Sequence, residues 1–289
     1  MNKLHIAILS LLTALLVACG SDSSESKDQN ATNSKALKVA VMPTAECLPL
    51  YVACEARLDS VLDCPLQLVR FASLLDCDSA MIGGSAVAVV TDDAHTSRLH
   101  SLGLTLHEEE NPNAIMTAIG NHRARIKDAQ QLKDKMIAVG RNSAEQRMAR
   151  HLLDSVKLDG DKAFIVMIND VNLRLHMLET NEMDAVVLPE PYASAALSQG
   201  HHRLQAATTA VTGRLAVTLA NSRSKKAPKA TQQQVDKIVK LYNQACDSIN
   251  KNGVHAYDSL LIKRMGIAPQ YVKTMPAVKY KHLSPCKKS

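Results

Sequence analysis

The sequence predicts an α/β protein of two similarly built lobes. Two runs of β-α-β-α-β with short connections, at 37–91 and 129–189, point to parallel sheets. Several of their strands, "LKVAVM" and "AVAVVT" among them, hold a continuous apolar core, as strands covered on both faces do. The stretches "SAMIGGSAVAVVTDD" (79–93) and "RLHMLETNEMDAVVLPE" (174–190) also repeat one layout: helix end, tight turn, apolar strand, acid. That layout sets Asp93 level with Glu190 and reads as a duplicated architecture.

The first eighteen residues read as a signal peptide. Lys3 supplies the positive start, and "IAILSLLTALLVA" is an apolar core too short to span a membrane. Leu16-Val17-Ala18-Cys19 resembles the lipobox of bacterial lipoproteins, which implies acylation of Cys19 and a membrane anchor. Residues 19–36 follow as a lipidated tether, polar and aperiodic, a composition that cannot bury enough apolar surface to fold. At ~5–6 Å times the square root of its length, such a tether would hold a domain on the order of 20–25 Å from the membrane.

The elements then follow in order. "LKVAVM" (37–42), "LQLVRF" (66–71) and "AVAVVT" (86–91) are strands, with helices over 49–61 and 73–84, the second closed by glycine. Extended runs within 104–121 and at 213–221 carry the chain across to a second unit and back. That unit holds strands at 136–140, 163–168 and 184–189 and helices at 129–135, 143–156 and 171–181, with Ser143 as an N-cap. In 231–252, Val235, Ile238, Val239, Tyr242, Ala245, Cys246 and Ile249 share one helical face, which should pack on the first lobe, followed by a helix at 257–266. The lobes are therefore drawn as 37–117 plus 213–289, and 118–212.

Composition narrows the function classes. The formal charge of +6 falls to +5 without Lys3, and the basic runs 222–230 and 286–289 are short and lack interleaved aromatics, so nucleic acid is not an expected partner. Beyond Cys19, six cysteines remain, an even number that favours disulfides in an oxidising compartment. Similar overhangs beyond adjacent strands suggest Cys47 with Cys77. Cys54 with Cys64 and Cys246 with Cys286 are further pairings, and fifteen connectivities are open in principle. No CxxC, HExxH, nucleophile elbow or phosphate-binding glycine loop is present. His95, His100 and "LHEEEN" (106–111) match no metal-ligand spacing, so neither a metal nor a cofactor is expected.

Three stretches, "LKVAVMPTAECLPLYVA", "IKDAQQLKDKMIAVGRNSAEQRMARHLLDSVKLD" and "MLETNEMDAVVLPEPYASAALSQG", resemble the type II periplasmic substrate-binding proteins of ABC transporters. The branch they resemble most binds sulfonates, nitrate, taurine and thiamine precursors. The resemblance covers roughly 37–220. It implies two Rossmann-like lobes joined by a hinge around a central cleft, with the Pro-Glu-Pro-Tyr corner at 189–192 facing that cleft. It further implies a small-molecule solute, an ABC permease as partner, and a place in the cell envelope. With no Trp, two Phe and six Tyr, and with Phe71 and Phe164 expected in the core, stacking of a large aromatic ligand is not favoured.

Ligand-binding candidates follow from strand ends, where α/β proteins keep their ligands. Glu46, Thr91 and Asp92 should form an acidic wall on the first lobe. Arg141, Asn142 and Ser143 lead into a helix, where free N–H groups at Asn142, Ser143 and Ala144 would hold an anion and Arg141 would add charge, or the same groups serve only to cap the helix. Glu190 and Tyr192 belong to the corner after the last strand, where Glu190 either meets ligand or caps the following helix. The expected function is capture of a small polar solute for ABC-type uptake. The alternatives are a sensing or scavenging lipoprotein of the same fold and, more distantly, an enzyme on this scaffold.

Overall fold

The computed structural model describes residues 36–158, 162–204 and 213–286. The signal peptide, Cys19 and the tether lie outside them. The chain runs through β1 (Leu37–Val41), α1 (Leu48–Glu55), α2 (Leu58–Val61), β2 (Leu66–Arg70), α3 (Leu74–Ile82), β3 (Ala88–Asp92), α4 (Asp93–Ser101) and β4 (Leu104–Asn111). Next come β5 (Met116–Gly120), β6 (Met136–Val139), α5 (Ala144–Ser155), β7 (Phe164–Met167), α6 (Val171–Glu179), β8 (Ala185–Pro189), α7 (Tyr192–Ser198) and β9 (His202–Arg203). The chain closes with β10 (Gly213–Asn221), α8 (Gln232–Asn252), α9 (Asp258–Lys263), α10 (Pro269–Val272) and β11 (Ser284–Pro285). One helix was expected over 49–61; the chain instead breaks at Arg57, which takes a left-handed conformation with φ of 53°.

Two sheets result, ordered β11-β4-β10-β3-β1-β2 and β7-β6-β8-β5-β9. Their centres share one plan. In the first, β1 pairs in parallel with β2 and β3, and β10 adds antiparallel to β3. In the second, β6 pairs in parallel with β7 and β8, and β5 adds antiparallel to β8. Each sheet thus receives its fourth strand from the chain passing to or from the other lobe. The first passage is the segment 112–115, between β4 in one sheet and β5 in the other.

The continuous apolar strands have a physical reason here. Val39 and Val41 face a cluster that packs Leu48, Leu50 and Val52 of α1 against Val235, Ile238 and Tyr242 of α8. Ala40 and Met42 face the other way, into a second cluster. Alternate residues of one strand are buried on opposite faces, each valine or leucine contributing ~1.5–3 kcal/mol. On α8, Leu241 is buried at the position the stripe assigned to Val239, which is only partly buried.

The second cluster belongs to both lobes. It joins Val89 and Ala216 of the first sheet to Ile119, Ala138, Val186 and Leu188 of the second through α3, α6 and α7. A third cluster fills the far face of the second sheet with Ile137, Val139 and Val187 against Leu152 of α5. The lobes therefore meet over apolar surface, and backbone bonds stitch the seam: Ala45 N donates to Glu190 O at 2.8 Å and Val171 N to Ala72 O at 3.3 Å.

Two sequence expectations fail. Phe164 is 52% exposed at the start of an edge strand and is not core. Cys47, Cys54, Cys64, Cys77, Cys246 and Cys286 are all free thiols, so none of the three suggested disulfides forms. Cys47 and Cys77 pack into different clusters, on the two sides that alternate residues of β1 define. Cys246 turns its sulfur to Lys281 O at 3.5 Å, whereas Cys286 follows β11 beside Glu109. Cys54 sits at the end of α1, and Cys64 is held by its N–H to Asp59 O at 2.8 Å.

Candidate functional site

A narrow cavity of about 20 Å³ opens where the two sheets present their strand ends. Met42 and Thr44 follow β1, Leu74 and Leu75 follow β2, and Thr91 ends β3. From the other lobe come Gly140 and Arg141 after β6, Asn169 after β7 and Pro189 at the end of β8. Both sheets aim their C-terminal edges at one space, as open α/β sheets do around ligands.

A buried ion pair forms the second-lobe side. Glu145 Oε1 lies 2.7 Å from Arg174 Nη2, and its Oε2 accepts from Gly140 N at 2.7 Å. Arg174 also donates to Ile168 O at 2.8 Å, and both side chains are nearly inaccessible. Burial raises the Glu145 carboxyl above its ordinary value, while Arg174 and the Gly140 amide pull it back. A Cβ on residue 140 would sit 2.9 Å from Glu145 Oε2, so this approach requires glycine.

The first-lobe side is polar but unevenly satisfied. His95 Nδ1 lies 2.8 Å from Asp78 Oδ2, which also accepts from Arg98 Nη1 at 2.7 Å. Burial opposes a charge on His95, yet Asp78, Asp92 and Glu145 outweigh it and raise the imidazole pKa. Three buried atoms of cavity-lining residues have no partner, Glu46 Oε2 and Thr91 Oγ1 on this side and Arg174 Nε on the other. Burial is the main cause that pushes Glu46 up to about 7; Glu145 and Asp92 add to it, and its own amide and the Thr44 hydroxyl oppose it.

Of the eight candidates from the sequence, Glu46, Thr91, Arg141 and Ser143 line this cavity. Asp92 is committed elsewhere, taking His95 N at 2.9 Å and Ala144 N at 2.7 Å and thereby capping α4 and α5. Asn142 turns to an outer surface pocket with Arg98, Arg147 and Arg150. Glu190 Oε2 accepts from Ser194 N at 3.2 Å, the helix-capping alternative, and lines a separate cavity with Met275 and Tyr280. Tyr192 is fully buried, its ring edge-on to Tyr271 with centroids 6.2 Å apart. Asp92 and Glu190 are thus each spent on a helix end.

Two of the three N–H groups expected to hold an anion at the start of α5, those of Asn142 and Ala144, are taken by the protein itself. Arg141 N donates to Asn169 Oδ1 at 3.0 Å, Asn142 N to Gln146 Oε1 at 2.9 Å and Ala144 N to Asp92 Oδ2. His95 enters the sequence reading only as a metal ligand, and two charged cavity residues, Glu145 and Arg174, escape it. Their signal was a charge within an apolar helical stripe: Arg174 beside Val171, Leu175 and Leu178, and Glu145 beside Ala144, Met148 and Ala149. No group of three or more histidine, cysteine or acidic residues suited to a metal occurs among the described residues. None of the described helices is long and apolar enough to cross a membrane.

A model of the NMT1-like family matches residues 30–257. The chain belongs to the NMT1-like family. The fold of this NMT1-like chain is that of the type II periplasmic binding proteins. The alkanesulfonate-binding protein SsuA from Xanthomonas axonopodis pv. citri, bound to MOPS, superposes with a TM-score of 0.71 at 17% identity, over 88% of this chain and 87% of its own. The periplasmic nitrate-binding protein NrtA from Synechocystis PCC 6803 gives 0.63 at 11% identity, over 82% and 68%. The desulfurization enzyme DSZB gives 0.58 at 13%, over 88% and 87%. A sequence search of curated proteins finds no match.

Proposed function

We propose that this NMT1-like chain is a lipid-anchored solute-binding protein that takes a small polar solute into the interlobe cavity and hands it to an ABC permease. One observation carries the reading: a cavity built from the strand ends of both lobes is lined by residues with three buried polar atoms without partners, Glu46 Oε2, Thr91 Oγ1 and Arg174 Nε. A buried polar atom left unmade costs ~1–3 kcal/mol, which a bound solute recovers. The likeness to sulfonate- and nitrate-binding proteins supports the same reading.

The lobes are proposed to hinge, one comprising 37–117 with 213–289 and the other 118–212. Acylation of Cys19 and export to the cell envelope rest on the sequence pattern at residues 16–19. An enzymatic role on this fold has less support. The Ser143 hydroxyl donates to Gly140 O at 2.7 Å and not to a base. Burial pushes the Cys47 thiol far above its ordinary range, away from a reactive thiolate. A sensing or scavenging lipoprotein differs from this proposal only in lacking the permease.

Native mass spectrometry of the purified chain tests the reading. A small molecule bound one to one, lost on activation of the ion, is expected. A bare chain from every preparation, grown in rich medium included, contradicts it.

A further inference from the structure

The carboxylates around the cavity differ in what neutralises them. Glu145 has Arg174 at 2.7 Å. Asp78 has Arg98 and His95 at 2.7 and 2.8 Å. Asp92 accepts the N–H groups of His95 and Ala144. Neither Asp92 nor Glu46 has an ion pair among the described residues, but Asp92 has its two N–H donors, whereas the buried Oε2 of Glu46 has none among them. The charged groups that act on it, Glu145 and Asp92, are of its own sign.

Most of the N–H groups that could hold an anion at the same cavity are already taken. Gly140, Arg141, Asn142 and Ala144 direct their N–H groups to protein oxygens. Arg174 gives its terminal nitrogens to Glu145 and Ile168 O, which leaves Nε as its one open donor beside a carboxylate that cancels its charge. Arg141 is exposed at the rim. A sulfonate or nitrate entering this space would meet an unpaired carboxylate and no unpaired buried cation.

We propose that the cavity is built for a solute bearing a cationic nitrogen, a protonated amine or amidine, which donates to Glu46 Oε2 and has Thr91 Oγ1 as a second anchor. The inference rests on the solute-binding reading and reverses the ligand charge suggested by the sulfonate- and nitrate-binding neighbours. A charged hydrogen bond to a buried carboxylate lost to an amide changes affinity by about ten- to a hundred-fold. Thr91 is 5% exposed and ends β3, a rigid element, so its hydroxyl is held in place without a mobile loop.

Three probes of one scaffold separate the charges: propylammonium, propanesulfonate and the zwitterion 3-aminopropanesulfonate. Binding to the dialysed full chain is read by calorimetry and ligand-observed NMR. Propylammonium is expected to bind, propanesulfonate not to, and Glu46→Gln to weaken propylammonium at least tenfold while the variant stays folded. Should Glu46→Gln fail to fold, Thr91→Val serves, with a three- to tenfold loss expected. Propanesulfonate binding as tightly as propylammonium overturns the inference and leaves solute binding intact. So does an unchanged propylammonium affinity in the variant. Binding of none of the three also overturns it, and native mass spectrometry then judges solute binding separately.

Discussion

The Asp92 carboxylate and the Ala144 amide are joined at 2.7 Å across the two lobes. Asp92 ends a strand of the first sheet, and Ala144 opens α5 on the second. The other Asp92 oxygen takes His95 N, so one side chain caps a helix in each lobe. Close by, Arg147 of α5 lies 2.6 Å from Asp93 at a more exposed position.

Replacing Asp92 by alanine should therefore lower the stability of the ligand-free chain. One cap is worth ~0.5–2 kcal/mol, so two lost together amount to about 1–4 kcal/mol. Thermal melts read this directly. An unchanged melting temperature would mean that the carboxylate serves ligand and not the seam. Arg147→Ala, an exposed pair, should cost no more than ~1 kcal/mol.

Glu190→Ala should behave as a lost helix cap. A drop of ~0.5–2 kcal/mol in apo stability is expected, with solute affinity kept. Glu190 points to Ser194 N and lines a different cavity from Glu46. Loss of affinity at constant stability would place Glu190 at the ligand after all.

Breaking the Glu145–Arg174 pair should be severe. Removing one partner leaves a buried charge uncompensated, which costs ~3–5 kcal/mol. Either Glu145→Ala or Arg174→Ala should show this in chemical denaturation. The double variant Glu145→Gln with Arg174→Met should recover part of the loss, because the orphan charge is gone. A double variant no better than the worse single one would contradict the pair's role.

Glu46 gives a pH signature. Its carboxyl is raised from 4.5 to about 7, so the folded state holds this proton more tightly than the unfolded chain. The corresponding stability is complete below pH 4.5 and is lost as pH rises to about 7. The groups acting on it are Glu145, Asp92 and the Thr44 hydroxyl, and Tyr192 and Tyr280 lie within its field. His95, raised by Asp78, Asp92 and Glu145, also loses its contribution as pH rises through its folded pKa. The difference between Glu46→Gln and the parent isolates Glu46. The variant's relative melting temperature should climb across that window and level off above it, and a flat difference would contradict the shift.

The two β-α-β-α-β units were legible because apolar runs mark their strands. Val39, Ala40 and Val41 of β1 are buried on both faces, so this part of the strand carries no alternation, and the helices between strands fix parallel pairing. The cavity's location was legible for the same reason: Glu46, Thr91, Arg141 and Ser143 all follow or end strands. What the sequence could not carry is partnership. The N–H groups of Asn142 and Ala144 looked free because their acceptors, Gln146 and Asp92, lie on another turn or on the other lobe. Cysteine pairing failed similarly, since loop overhang says nothing of which face of the sheet a thiol joins.

The central claim is that the two lobes part and close around a solute. Hydrogen exchange at single amides tests it most directly, using the small molecules released by denaturing the purified chain as the added solute. The N–H groups of Ala144, Val171 and Ala45 donate across the seam to Asp92, Ala72 and Glu190. They should exchange together and fast in the stripped chain and slow together when the released fraction is returned, while the Val41–Phe71 bond inside the first lobe stays unchanged. Equal protection of the three seam amides with and without that fraction would contradict the account.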